Sequence, residues 1–132
     1  MGAGEGKTQK RIRMKLRIRP TALEDLAKGR RFYDSQELGV GDYFFDSVFA
    51  DIVSLKLYAG IHRKVFGFHR MLTQRFPYAV YYEYPNKEAA IVWRVLDLRQ
   101  DPESIRSALG SIKTTQTTHA TRPENPKNQL DD

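Results

Sequence analysis

Hydrophobic and polar residues alternate from Ile12 to Arg19, with Ile12, Met14, Leu16 and Ile18 on one side and Arg or Lys on the other. A period of two predicts a half-buried strand. Long basic side chains on its wet face also discourage edge-to-edge pairing. Pro20-Thr21 ends the strand, and Thr21 with Glu24 three residues on predicts a capping box. The spacing then becomes helical from about Ala22 to Gln36, with Leu23, Leu26, Ala27 and Tyr33 mostly on one face and Phe32 beside them. Gly29 interrupts that helix at a cost of about 1 kcal/mol against Ala, which predicts a close backbone approach. Leu38-Gly39 closes the element. A second helix is predicted from about Gly41 to Leu57, where Phe44, Val48, Ile52 and Leu55 repeat and Phe45 and Phe49 widen the stripe. Two helices with a short joint form an αα-hairpin.

Residues 58–64 read as a loop, and a strand with a bulge or bend is expected over roughly Phe66–Phe76. Arg75-Phe76-Pro77 turns the chain into a central hairpin, Tyr78–Tyr84 and Ala90–Leu96, joined by Pro85-Asn86-Lys87-Glu88. Trp93 shares its side with Ile91 and Val95 and is expected in the core, while Arg94 crosses the apolar face or emerges at its rim. A short helix follows over Pro102–Leu109, with Asp101 as its cap and Gly110 as its stop. The expected fold is α+β, one layer of two helices on a four-stranded sheet, in the order β-α-α-β-β-β with a short C-terminal helix. One domain is expected over residues 12–110, between a disordered extension (residues 1–11) and a disordered, polar tail (residues 111–132).

The chain has no Cys, which excludes disulfides and thiolate chemistry. No apolar run approaches the roughly 20 residues of a membrane span, and the first residues lack the apolar stretch of a secretory signal. A cytoplasmic protein without a membrane partner is expected. The net charge of +6 is unevenly placed. Lys7, Lys10, Arg11, Arg13, Lys15, Arg17 and Arg19 against Glu5 account for all of it. A second basic stretch has no acid between Asp51 and Glu83 but holds Lys56, Arg63, Lys64, Arg70 and Arg75. Both suit an anionic partner, nucleic acid or an acidic protein, and both also suit a charged solvent face.

Candidate chemistry follows from these positions. Arg99, two residues after Asp97, is placed to clamp a phosphate or carboxylate, or to form a surface pair with Asp97. Arg63, Lys64, Arg70 and Arg75 are candidates to line a groove for a phosphate backbone. His69 is a candidate acid or base, or an ordinary edge residue. Tyr78, Tyr81, Tyr82 and Tyr84 stack on bases or fill a core. Three His without a spacing motif do not make a metal site, and no cofactor motif is present.

Taken together, these segments resemble the RelE/ParE toxin superfamily, often described as plasmid stabilisation proteins. The resemblance covers about residues 14–109. It rests on the first strand closing in Arg19-Pro20, on Ala22–Tyr33, on the Gly39–Leu57 helix and on Phe68-His69-Arg70. Arg75-Phe76-Pro77-Tyr78-Ala79-Val80-Tyr81-Tyr82 and Leu96-Asp97-Leu98-Arg99-Gln100-Asp101-Pro102 complete it. It implies a two-helix hairpin on a curved, mainly antiparallel sheet, and the toxin of a type II toxin–antitoxin pair. The implied partner is a cognate antitoxin that wraps and neutralises the toxin, in an assembly with it or with further copies. RelE-like members cut messenger RNA on the ribosome without metal, whereas ParE-like members poison DNA gyrase and are not nucleases.

By the same resemblance, Arg99 matches the arginine after the last strand, and Arg70 matches a position that is frequently basic in the ParE-like branch. Where the RNases carry a second arginine, this chain has Tyr78, and where many members have a histidine it has Asp97. Their terminal tyrosine has no match in Ser107–Gln116. These departures argue against RNase action and favour a ParE-like toxin, or a member whose activity has decayed. The enzymatic rival is a metal-free endoribonuclease using Arg70, Arg99 and His69 or Tyr78, which requires Arg70 and Arg99 on a common surface. A third reading is a small nucleic-acid-binding module built on residues 7–19.

Overall fold

The computed structural model describes residues 14–121, with side chains through Lys113. The expected extension over residues 1–11 and the end of the tail lie outside them. Strand β1 (Lys15–Ile18) leads into helix α1 (Pro20–Gln36), helix α2 (Val40–Val53) and a single turn, α3 (Leu55–Tyr58). Strands β2 (Lys64–Val65), β3 (Phe68–Leu72), β4 (Tyr78–Glu83) and β5 (Ala89–Asp97) follow, with a 3₁₀ turn at Pro85–Lys87. Helix α4 (Pro102–Thr121) is last. The chain divides into two units, one ending at Arg99 and the other beginning at Gln100.

In the first unit the sheet order is β1-β5-β4-β3-β2. β1 runs parallel to β5, with Leu16 beside Ala90 and Ile18 beside Val92, and the other pairs are antiparallel. Among the described residues the sheet therefore has five strands where four were expected. The additional strand, β2, is two residues long, too short for a period of two to register. It is folded back on β3 by Phe66 and Gly67, both at positive φ, the tight hairpin geometry that matches strand twist. The bulge expected in the third element lies in β5 instead. Tyr81 pairs with Arg94 and Tyr82 with Val92, so Trp93 is the extra residue.

The two helices cover one face of the sheet. Ala22, Leu26, Phe44, Val48, Ile52 and Leu55 pack on Met71, Tyr78, Val80, Tyr82, Ala90, Val92 and Val95. Alternation then directs Ala79 and Tyr81 to the other face. Leu23 and Phe32 are exposed, at 48% and 43%, and Gly29 takes their place at the buried face of α1. A β-carbon on Gly29 would sit 2.5 Å from Cε2 of Phe44, so the glycine is the close approach between helices.

Three further expectations are corrected. Helix α1 begins at Pro20, which has no N–H to satisfy, with Arg19 at the N-cap and no side-chain cap. Thr21 forms no capping box, and its hydroxyl donates to the Trp93 carbonyl at 2.8 Å. Trp93 is half-buried rather than core, because the bulge turns it out. Its Nε1–H donates to Glu83 at 2.9 Å, and the Arg19 guanidinium lies 4.9 Å from its ring centroid. In the second unit, the amides of Ser104 and Ile105 donate to the Asp101 carbonyl, which starts α4 as expected. The helix then runs through Gly110 to Thr121, because one glycine costs only about 1 kcal/mol in a helix interior.

Candidate functional site

Asp97 lies directly opposite Tyr78 at the end of the β4–β5 ladder, on the helix-covered face. Two residues on, the backbone N–H of Arg99 donates to Asp97 Oδ1 at 2.8 Å. The guanidinium grips the same carboxylate with Nε at 2.9 Å and Nη2 at 2.7 Å. Nη2 also reaches the Tyr33 hydroxyl at 3.2 Å. The planar group lies 5.5 Å from the Phe32 centroid and 5.9 Å from that of Tyr33. A guanidinium held by a carboxylate on one edge and aromatic rings on a face is fixed in direction. Its side chain is still 50% exposed, so donors remain for an incoming carboxylate or phosphate.

The electrostatics favour binding over proton transfer. The Arg99 hydrogen bonds hold the Asp97 carboxyl below the usual carboxylate range and raise the guanidinium in return. Tyr78 is 6% exposed. Burial first, then the charge of Asp97, pushes its phenol up to about 12. A depressed carboxylate is a poor base and a phenol that high is a poor acid near neutrality.

The other candidates do not converge on Arg99. Arg70 lies opposite Tyr81, on the face away from the helices, and its guanidinium donates to the Tyr81 phenol. Arg70 and Arg99 are therefore on opposite faces of the sheet, which corrects the expectation of a common surface. The cause is strand parity: Arg70 and Tyr81 alternate away from the core, whereas Asp97 and Tyr78 alternate toward it. Arg75 lies in the β3–β4 connection, at the same end of the sheet as Arg99. Arg63 and Lys64 lie with His69 toward the other end, Lys64 beside His69 in the β2–β3 pair. The Arg70 amide donates to the Arg63 carbonyl at 3.0 Å, so Arg63, Lys64 and Arg70 are neighbours, whereas Arg75 lies beyond the far end of β3. His69 is not placed as a base beside either arginine. Its Nδ1–H donates to the His62 carbonyl at 2.5 Å, and its ring stacks on Tyr82 with centroids 5.1 Å apart.

Sequence reasoning missed Tyr33, Phe32 and Asp25. The carboxylate of Asp25 on α1 accepts from Arg94 Nε at 2.7 Å, Arg94 Nη2 at 2.9 Å and the Val95 amide at 2.9 Å. β1 pairs with β5 only as far as Val92, so the outer edge of β5 at Val95 takes its acceptor from a helix. No local signal marks such a pairing. Among the described residues no group of three His, Cys, Asp or Glu could hold a metal ion, and no helix is long and apolar enough to cross a membrane.

This α+β fold, a helical hairpin on one face of a mixed sheet, has solved counterparts. In particular, it is similar to a chain solved in the chromosomal ParDE TA (toxin–antitoxin) system from P. aeruginosa, with a TM-score of 0.60 and 16% identity. The likeness spans 67% of this chain and 99% of that one. No protein-family model matches the sequence, and no curated protein matches it. The similarity is thus one of fold.

Proposed function

We propose that this protein is the toxin of a type II toxin–antitoxin pair, that it is ParE-like, and that it acts on DNA gyrase until a cognate antitoxin neutralises it. The observation that carries the reading is the fold itself, which spans nearly all of a chain from a ParDE toxin–antitoxin system. The chemistry around the arginines supports the non-nuclease branch. Metal-free RNA cleavage needs a base, an acid and charge stabilisation converging on one phosphate. Here Arg99 is paired with Asp97, Tyr78 is buried, and Arg70 and His69 are on other surfaces. Arg99 serves instead as a fixed anchor for a partner's carboxylate.

The test uses the full chain, added to a gyrase supercoiling reaction and to ribosomes programmed with mRNA. Stabilised gyrase–DNA cleavage complexes with intact mRNA are expected. Site-specific mRNA cuts that vanish in Arg99→Ala would establish the interferase instead. Expression is expected to arrest growth, and co-expression of a cognate antitoxin to relieve it.

A further inference from the structure

The segment from Ala59 to Arg63 is fastened to the sheet around one phenol. The Gly60 amide donates to the Tyr82 hydroxyl at 2.9 Å, and that hydroxyl meets His62 Nδ1 at 2.5 Å. With Gly60 donating to it, the oxygen has its own hydrogen left to give, so Tyr82 donates to a neutral His62. His69 Nδ1–H donates to the His62 carbonyl, and the Arg70 amide donates to the Arg63 carbonyl at 3.0 Å. Tyr82 carries an imidazole on two sides: His69 stacked at 24° and His62 edge-on at 86°. Gly60, at φ +95°, lies so close to the Tyr84 ring that a β-carbon would be 2.8 Å from it.

We propose that residues 59–63 form a pH-operated strap, released from the sheet when His62 takes a proton on Nδ1. The proton that arrives at Nδ1 occupies the lone pair that accepts from Tyr82. Tyr82 is fully buried, so its O–H then has no acceptor, while His62 Nδ1–H joins the Gly60 and His62 backbone N–H groups as donors aimed at one oxygen. The titratable groups facing His62 are Tyr82 from β4 and His69 from β3, with Tyr84 of the same hairpin against Gly60 and Arg63 and Lys64 adjoining in the chain. Burial and then His69 lower the affinity of His62 for that proton. The bond from His69 Nδ1–H to the His62 carbonyl does not involve the His62 ring and is lost only as the strap lifts. The strap carries Ile61, 72% exposed, and runs directly into β2. Its release frees the two residues that cover the edge of β3.

The test is amide hydrogen exchange on the full chain from pH 8 to pH 5, corrected for intrinsic rates, with an NMR titration of the histidines. Protection at Gly60 and Arg70 is expected to fall at least tenfold with the His62 midpoint, below pH 6.5, while Val80 holds. In His62→Gln, whose side-chain carbonyl accepts without titrating, protection is expected to persist at pH 5. In Tyr82→Phe, Gly60 is expected to be weakly protected at every pH. Equal protection at pH 5 and pH 8 in the parent protein, loss in step with Val80, or an acid loss that survives in His62→Gln would each overturn the proposal.

Discussion

Asp25 and Arg94 lie 69 residues apart in the chain and meet through two hydrogen bonds, at 2.7 and 2.9 Å. The Asp25 side chain is 11% exposed and that of Arg94 is 25% exposed. Removing one member strands the other, and Asp25 also serves the Val95 amide. Breaking a fully buried pair costs about 3–5 kcal/mol, and partial solvent access reduces this to about 2 kcal/mol for Asp25→Ala. Arg94→Met should cost less, because Asp25 keeps the backbone donor. The double variant should cost less than the sum of the two, by about 1 kcal/mol or more, in urea unfolding.

Gly29→Ala sets helix propensity against packing. Propensity favours Ala by about 1 kcal/mol, but the new carbon meets the Phe44 ring at 2.5 Å and 2.6 Å. Phe44 is fully buried and stacked on Tyr33, so it cannot swing away. A net loss of about 1–3 kcal/mol is expected from overpacking. Combining it with Phe44→Leu should cost less than the two changes added, as read from thermal unfolding.

Tyr78 should make the protein sensitive to alkali. Its folded phenol, at about 12, lies above the ordinary 10.0, so the folded state holds a proton that the unfolded state releases first. The stability tied to Tyr78 is intact below pH 10 and declines as pH rises toward 12. Two pH units correspond to about 2–3 kcal/mol. Tyr82 and Tyr81 are raised as well and act in the same direction. Tyr78→Phe should flatten the decline, measured by denaturant midpoints between pH 9 and pH 12.

Arg99 separates stability from function. The pair with Asp97 is half exposed on the arginine side, so Arg99→Ala should cost less than about 1 kcal/mol. Asp97 should return toward the usual carboxylate range, because the bonds that hold it down are gone. That reduces the acid-side contribution of Asp97, which is present above pH 3.8 and lost as pH falls through its folded value. Growth arrest should nevertheless be lost. A folded Arg99→Ala variant that still arrests growth would remove Arg99 from the target-binding surface.

The elements with strong local periodicity were legible in the sequence. The α1–α2 hairpin and the β4–β5 hairpin announce themselves through spacing and turn residues. The pair Asp97–Arg99 was legible too, since its members are two residues apart. Relationships set by distant chain were not. Nothing near Lys15 says that it lies beside Ala89, and nothing near Thr21 says that its hydroxyl is needed by Trp93. Arg70 illustrates the limit most directly. Its basic character suggested a shared surface with Arg99, but the face it occupies depends on which residues of β3 and β4 stand opposite one another.

The parallel contact of β1 with β5 has a consequence for synthesis. Among the described residues the first strand of the sheet has one strand neighbour, and that neighbour is the last of these strands to be translated. A nascent chain can pair its helices early, but Leu16 and Ile18 wait uncovered until Ala90 and Val92 have left the ribosomal tunnel. Such late, non-local closure slows folding and makes partial chains sticky. Truncated translation products should therefore be inert and readily degraded, so that whatever the protein does in the cell begins only once its final strand has docked.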